Sequence, residues 1–233
     1  MKLTLHILAL SVVGLATSYC AVYNVTTGTL ATSNGIASSG GLVSNPSASP
    51  ATGTFTGYQA PGTAGIVAFG IFSSLSDAQI TGAADFANGL SILSNAFVQF
   101  GAAGTFNTAG PTGSKGVFSR NTSSLVVGSP FSTKNIYAFV GNGTSFSNST
   151  ELLVLKSAST FTDGQDAIPT AQLVTLSYAN TSLLFGRQLA DVKTTTTDSS
   201  VTLGWGTAVA VPEPSAALLG ALGALGLLRR RRN

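Results

Sequence analysis

The consecutive segments IYAFV (136–140), GNGTSFSNST (141–150) and ELLVLK (151–156) decide the fold of this chain. The first and third are short runs rich in aliphatic, aromatic and β-branched residues, while the segment between them is polar and contains two glycines. Two apolar runs on either side of a polar, glycine-bearing segment predict antiparallel strands joined by a long hairpin loop. This hairpin is the clearest β unit in the sequence.

Elements of the same kind are predicted on both sides of the hairpin. Ile66–Phe72 (IVAFGIF) has the composition of a buried strand, and Ser76 is placed to cap a short helix after it. Apolar residues recur at near-helical spacing between residues 83 and 98, so that one or two short helices are predicted in all. Further strands are predicted at 173–178, 182–187 and 200–206, with turns at 163–164 and 179–180.

The resulting fold class is mainly β, with one or two short helices. Strands at this spacing are typical of an antiparallel sandwich or a jelly-roll-like body, here over residues 66–206. Residues 21–65 are dominated by small polar residues, glycine and proline and predict a polar flexible arm, with an edge strand around 23–25. Residues 207–211 predict a short linker.

The charge of the chain is concentrated at its two ends. The 233 residues carry a net charge of +3, but the segment 21–211 holds six basic and seven acidic residues and is nearly neutral. Neither nucleic acid nor an acidic surface is expected to attract such a segment. The single histidine, His6, and the single cysteine, Cys20, both precede it. Ser-His and Cys-His catalytic pairs, His or Cys metal sites and disulfides are therefore excluded from this segment, and no cofactor is expected.

The N-terminus predicts a signal peptide over residues 1–20. Lys2 supplies a basic start, residues 3–16 are mainly apolar, and small residues at Ser18 and Cys20 permit cleavage. Signal peptidase is expected to cut between Cys20 and Ala21, with a cut after Ser18 as the alternative. Acylation of Cys20 is disfavoured because the bulky Tyr19 precedes it.

The C-terminus predicts a short membrane helix with a fixed direction. Thirteen Ala, Leu and Gly residues at 216–228 span roughly 20 Å as a helix, against about 30 Å of hydrocarbon core. Pro214 fits the first helical turn, so the predicted helix covers about 214–228 and is a weak anchor. A basic cluster beside a membrane span stays in the cytoplasm. That cluster is Arg229, Arg230, Arg231 and Arg232.

The order Pro-Glu-Pro, apolar helix, arginine cluster resembles a PEP-CTERM sorting signal, a tail type also named the ice-binding protein C-terminal domain. The resemblance covers about residues 210–232, and the predicted sorting tail is 212–233. In that family an exosortase, a membrane cysteine peptidase of Gram-negative bacteria, recognises the tail and cuts near the motif. The product then reaches the cell surface or the extracellular matrix. The resemblance implies that Pro212, Glu213 and Pro214 are the recognition element and that 229–232 are the stop.

Carboxylates are the remaining candidates for chemistry. Glu151 together with Asp163, Asp166 or Asp191 could form the acid pair of a glycosidase, although Glu151 begins a predicted strand, where a solvated polar residue is ordinary. Asp163 and Asp166 could bind Ca²⁺, but the full loop spacing is absent and a plain turn is favoured. Trp205 could stack on a sugar, while a core or rim position is favoured.

We expect an exported bacterial protein that is held in the inner membrane during transit and then displayed at the cell surface or in the extracellular matrix. Its role would be structural, adhesive or glycan-contacting, not enzymatic. The expected partners are signal peptidase, an exosortase-type membrane peptidase, the membrane in transit and extracellular polysaccharide. Two alternatives stay open. One is a secreted hydrolase, such as a glycosidase, that works with carboxylates alone, and the other is an uncleaved, membrane-anchored periplasmic module.

Overall fold

The computed structural model of the chain describes residues 20–27, 35–58, 65–106, 115–124, 126, 128–163, 170–193, 200–201 and 204–210. Within them the fold is mainly β, with two short α-helices and mixed sheets. The strands are β1 Ala21–Thr26, β2 Gly35–Val43, β3 Phe55–Thr56, β4 Ile66–Phe72, β5 Phe97–Gln99, β6 Gly104–Thr105, β7 Ser119–Ser124, β8 Asn135–Gly141, β9 Leu152–Thr160, β10 Gln172–Thr175, β11 Thr181–Phe185, β12 Arg187–Leu189, β13 Val192–Lys193, β14 Ser200–Val201 and β15 Gly204–Val209. The helices are α1 Asp77–Gly82 and α2 Gly89–Ala96, with a 3₁₀ turn at Ala83–Asp85.

The predicted hairpin is confirmed as β8 and β9, which pair antiparallel at the centre of a large sheet. That sheet has the order β12-β15-β9-β8-β4-β5, and β11, β2 and β6 pair with β9, β15 and β4 respectively. Successive side chains of a strand point to opposite faces. On β8, Ala138 and Val140 enter one core cluster and Phe139 enters the other. Both faces of the hairpin are therefore buried, which explains why its runs are continuously apolar.

The first core cluster lies between the large sheet and a second sheet of order β10-β1-β7. Tyr23 of β1 is fully buried there and contacts Phe100 and Phe161 edge to face, with ring centroids 5.5 and 5.1 Å apart. Each large side chain buried in this way contributes about 1.5–3 kcal/mol. The hydrophobic effect on Tyr23 and its neighbours is what holds the two sheets together.

The second core cluster lies between the opposite face of the large sheet and the helices. Ile80 of α1 and Leu93 of α2 are fully buried against the sheet. The predicted cap at Ser76 is confirmed: its hydroxyl accepts from the Gln79 N–H and its own N–H donates to Gln79 Oε1, a capping box. The helical pattern predicted over 83–98 forms the 3₁₀ turn and α2, and its last residues enter β5.

The predicted arm contains regular strands among its described residues. The polar composition of 24–65 predicts loops, yet β1 and β2 lie there and both are paired. β1 is the central strand of the second sheet rather than an edge strand, and β2 runs parallel to β15. Ile36 and Ala37 of β2 are fully buried. Long-range pairing thus overrides the local composition.

The predicted linker also begins inside the sheet. Thr207 and Val209 belong to β15, and Thr207 is fully buried. β15 pairs with β2, β12 and β9, so the last strand sits between neighbours on both sides. The described chain stops one residue beyond this strand, at Ala210.

The two ends of β8 and β9 define a groove end and an exit end of the large sheet. At the groove end, β8 begins at Asn135 opposite Thr160 of β9. At the exit end, β8 finishes at Gly141, opposite Leu152 of β9, and Leu152 in turn pairs with Ala208. The chain leaves the described region at the exit end.

Candidate functional site

A polar groove of about 420 Å³ opens at the groove end of the large sheet. The strands β8, β9 and β11, the start of α1 and the turn before β11 surround it. Its lining is dominated by charged, amide and hydroxyl side chains, among them Asp77, Asn135, Lys156, Ser157, Asn180 and Ser182. Such a lining offers hydrogen-bond donors and acceptors in preference to apolar contact.

The two charged side chains of the groove, Asp77 and Lys156, form a triad with the buried Tyr137. Lys156 Nζ lies 2.7 Å from Asp77 Oδ2, and the Tyr137 hydroxyl donates to Asp77 Oδ1 at 2.9 Å. Tyr137 and Lys156 are cross-strand partners in β8 and β9, and the Lys156 ammonium stands 5.8 Å from the centroid of the Tyr137 ring. The capping box fixes Asp77 as the first residue of α1. The hairpin and the helix therefore bring this triad together.

The pKa values of Asp77 and Tyr137 are shifted in opposite directions. Burial tends to raise the pKa of Asp77, but the hydrogen bonds from Lys156 and Tyr137 and the lysine charge outweigh it and hold this pKa below its usual value. Burial, together with the hydrogen bond and charge of Asp77, raises the pKa of Tyr137. At neutral pH Asp77 is thus a carboxylate and Tyr137 a neutral phenol.

The turn before β11 is held by one amide side chain. Asn180 Oδ1 accepts from the Ser177 N–H at 2.9 Å, and Asn180 Nδ2 donates to the Thr175 carbonyl at 2.8 Å. The turn predicted at residues 179–180 is confirmed. The amide fixes the wall of the groove, while the Ser182 hydroxyl beside it is exposed.

A second polar cluster is buried near the exit end. Ser38 Oγ and Thr207 Oγ1 donate to Glu151 Oε2 at 2.8 and 2.7 Å, and the Gly41 N–H donates to Glu151 Oε1 at 2.7 Å. The hydroxyls of Tyr58 and Thr207 are 2.6 Å apart, and since the Thr207 proton points to Glu151, Tyr58 is the donor. Burial raises the pKa of Tyr58.

This cluster joins β2 and β15 to the start of β9. Glu151 is 5 % exposed, so the expectation of a solvated residue is wrong. A buried carboxylate needs such donors to offset its lost hydration. Both oxygens of Glu151 are occupied by groups of its own chain, and no second carboxylate is among the partners recorded for the described residues.

Asp163 and Asp191, two of the other predicted carboxylates, do not line the groove. Asp163 is exposed just beyond β9, and Asp166 lies outside the described residues. Asp191 follows β12, with a buried Oδ1 that has no hydrogen-bond partner in the described part of the chain. Over the same residues, no group of three His, Cys, Asp or Glu side chains is suited to hold a metal ion.

Trp205 occupies a core position, one of the two alternatives that the sequence favours. It is 1 % exposed and stacks on Tyr178, with ring centroids 4.7 Å apart and an interplanar angle of 25°. The Tyr178 hydroxyl donates to the Gly204 carbonyl, and burial raises the pKa of Tyr178. The indole is not accessible to a sugar.

The predicted processing sites lie at the edges of the described region. Cys20 is exposed and Ala21, its neighbour, is the fully buried first residue of β1. The recognition element 212–214 and the arginines 229–232 lie outside the described residues. In the described part, no helix has the length and apolar character needed to cross a membrane.

Sequence reasoning missed the triad of Asp77, Tyr137 and Lys156. One signal pointed to part of it: the Ser76 cap places Asp77 at a helix start, where a carboxylate is stabilised by the helix dipole. The hairpin pairing of β8 with β9 could have placed Tyr137 opposite Lys156. Nothing local predicts that α1 meets that pair.

Comparison with known proteins gives no relative from which to carry over a function. No family model matches the chain, and no curated protein and no solved structure matches it. Function is therefore argued from its own residues.

Proposed function

We propose that this is an exported bacterial protein that a PEP-CTERM tail routes to the cell surface or the extracellular matrix. The support is the sequence at both ends together with the limits of the fold. β1 starts at Ala21, next to the predicted signal cleavage point. β15 ends at Val209, three residues before Pro212. The folded body thus fits between two segments whose compositions are typical of export and sorting.

The finer architecture is part of the same proposal. A sandwich-like body lies between a signal helix at 1–20 and a transmembrane helix at about 214–228. The packing of the second sheet on the large sheet supports the sandwich. β1 pairs parallel with β10 and β2 pairs parallel with β15, so a purely antiparallel jelly roll is less well supported.

The body, we propose, contacts extracellular polysaccharide through the groove. One observation carries this part: a groove of about 420 Å³ in which a partly exposed ion pair stands beside amide and hydroxyl side chains. Sugar hydroxyls are both donors and acceptors, and the lining offers partners for both. The near-neutral charge of the body is compatible with a neutral or weakly charged glycan.

The groove is tested with a matched pair of blocking substitutions. Ser182 is an exposed serine of the groove wall, and Ser123 is an exposed serine of β7 in the second sheet. We expect Ser182→Trp to weaken binding of the full-length protein to the producer's extracellular polysaccharide by about tenfold, roughly 1.4 kcal/mol. Ser123→Trp should bind like the wild type. The measurement is retardation in polysaccharide-containing native gels, and equal retardation of both variants would contradict a role for the groove.

The routing is tested separately by terminal-peptide mass spectrometry of the surface fraction. A cleaved product that begins at Ala21 and lacks residues 229–232 is expected. A mature species that keeps the four arginines would contradict sorting and favour the alternative of a membrane-anchored periplasmic module. The contacts of Glu151 do not favour the carboxylate-dependent hydrolase, because both oxygens of Glu151 accept hydrogen bonds from residues of β2.

A further inference from the structure

The exit end of the body carries a cluster of exposed apolar side chains. Four large apolar side chains of the described residues are exposed: Leu42, Val43, Phe86 and Leu173. Isolated cases are ordinary on a protein surface, whereas grouped ones mark contact sites. Leu42, Val43 and Phe86 belong to segments that lie beside Val209 and Ala210, the last described residues.

The first part of the cluster is the end of β2. Val43 is the register partner of Val209, and the Ser44 N–H donates to the Val209 carbonyl at 2.9 Å. Val43 is 44 % exposed, and Leu42 beside it is 38 % exposed. Val43 therefore stands beside the last residues of β15, and Leu42 precedes it on β2.

The second part is the turn that leads into α2. The Gly89 N–H donates to the Phe86 carbonyl at 2.9 Å, so the turn brings Phe86 close to the start of the helix. A Cβ placed on Gly89 would lie 3.1 Å from the Cβ of Ala210, which puts this helix start against the departing chain. Phe86 is 55 % exposed.

The number of residues between Ala210 and the apolar segment sets a maximum distance between this face and a bilayer. The apolar segment begins at Ala216, six residues after Ala210. At no more than about 3.5 Å per residue, six residues reach roughly 20 Å. If residues 216–228 enter a membrane, Ala210 is held within that distance of its surface.

We propose that Val43 and Phe86 form a membrane-resting face that contacts the lipid interface while the tail is inserted. This inference rests on the proposed function, because the tail brings the face to the bilayer. Asp85 next to Phe86 is exposed, so the contact is apolar rather than a charge attraction to anionic lipid. The groove lies at the opposite end of β8 and β9.

The face is tested with the full-length protein in vesicles of phosphatidylethanolamine and phosphatidylglycerol that carry brominated acyl chains. Single cysteines at Val43→Cys, Phe86→Cys or Leu173→Cys, each with Cys20→Ser, carry a small environment-sensitive fluorophore. Leu173 is the matched control, since it is an exposed apolar residue of the second sheet. We expect bromine quenching several-fold stronger at positions 43 and 86 than at position 173.

Quenching at 43 and 86 no stronger than at 173 would overturn the membrane-resting face. So would labels at 43 and 86 that are shielded from aqueous iodide but not quenched by bromolipid, because a protein would then cover them. A label at Leu222→Cys, inside the apolar segment, reports on tail insertion separately. Absence of quenching at 222 contradicts the inserted tail of the proposed function, while positions 43 and 86 still decide the face.

Discussion

The groove end and the exit end are built from the same two strands, yet they place charge and apolar surface in opposite ways. At the groove end Asp77 and Lys156 keep 43 % and 26 % of their side chains exposed. At the exit end Glu151 is buried under its donors, while Leu42, Val43 and Phe86 are exposed. Leu152 and Lys156 are four residues apart on β9, about 13 Å along an extended strand. A charge that is buried stabilises the sheet junction, and a charge that is partly exposed remains available to a ligand.

The largest expected loss of stability comes from a substitution in the buried cluster at the exit end. Glu151→Ala leaves the Ser38 and Thr207 hydroxyls and the Gly41 N–H without their acceptor, and we expect a loss of about 3 kcal/mol of unfolding free energy. The measurement is guanidinium unfolding of the full-length protein in mild detergent, followed by the fluorescence of Trp205, the single tryptophan.

Glu151→Gln is the control for that substitution. It keeps the shape and one acceptor oxygen, so its loss should be smaller. If Glu151→Ala costs less than about 0.5 kcal/mol, the buried cluster is not what joins β2 and β15 to β9.

The next largest loss of stability is expected when a partly buried aromatic ring at the exit end is removed, and removal of an exposed ring there should cost less. Phe146 stacks on Phe139 at 4.4 Å and lines a cavity of about 490 Å³ beside Val209 and Ala210. Phe146→Ala is expected to cost about 2 kcal/mol, because it removes a partly buried ring from the second core cluster. Phe86→Ala, the matched change at an exposed ring, should cost less than about 0.5 kcal/mol in the same unfolding assay. Equal costs would show that Phe86 supports the fold and is not a free surface residue.

A smaller effect is expected at the groove end. Tyr137→Phe removes the hydroxyl that donates to Asp77, and the expected cost is about 1 kcal/mol. A double-mutant cycle with Asp77→Ala measures the coupling of the two side chains. Additive costs in that cycle would mean that the hydrogen bond does not contribute to stability. Asp85→Asn, which changes an exposed acid outside the groove, is the neutral control.

The smallest effect is a pH dependence of the same ion pair. The pKa of Asp77 is lower in the folded protein than its ordinary value of 3.8. The carboxylate therefore contributes stability above that value, and the contribution is lost as the pH falls through the folded pKa. Relative to Asp77→Asn, the wild type should lose about 0.5 kcal/mol between roughly pH 5 and pH 2, a small value because the pair is partly exposed. A difference between the two proteins that stays constant with pH would contradict the ion pair.

The local sequence pattern was sufficient to predict the strands that are buried on both faces and the helix start that carries a capping residue. β4, β8 and the start of α1 are predicted from composition, spacing and the Ser76 cap. β2 was missed because GIASSGGLV has no regular apolar alternation, and its burial depends on pairing with β15, which is distant in sequence. The candidate site was missed for the same reason, since Asp77 and Lys156 are 79 residues apart.

The sequence by itself determined a hairpin of apolar strands and a nearly neutral body without histidine or cysteine, and the compositions of its two ends predict export. These follow from local composition, which sets strand propensity, charge and the available chemistry. The tertiary structure decided which polar residues are buried and which are open. Glu151 and Asp77 are both carboxylates near element starts, but Glu151 meets the hydroxyls of β2 and β15, and Asp77 meets a lysine beside a groove. That difference arises from long-range packing, because burial and hydrogen-bond partners are properties of neighbouring strands rather than of a residue's own segment.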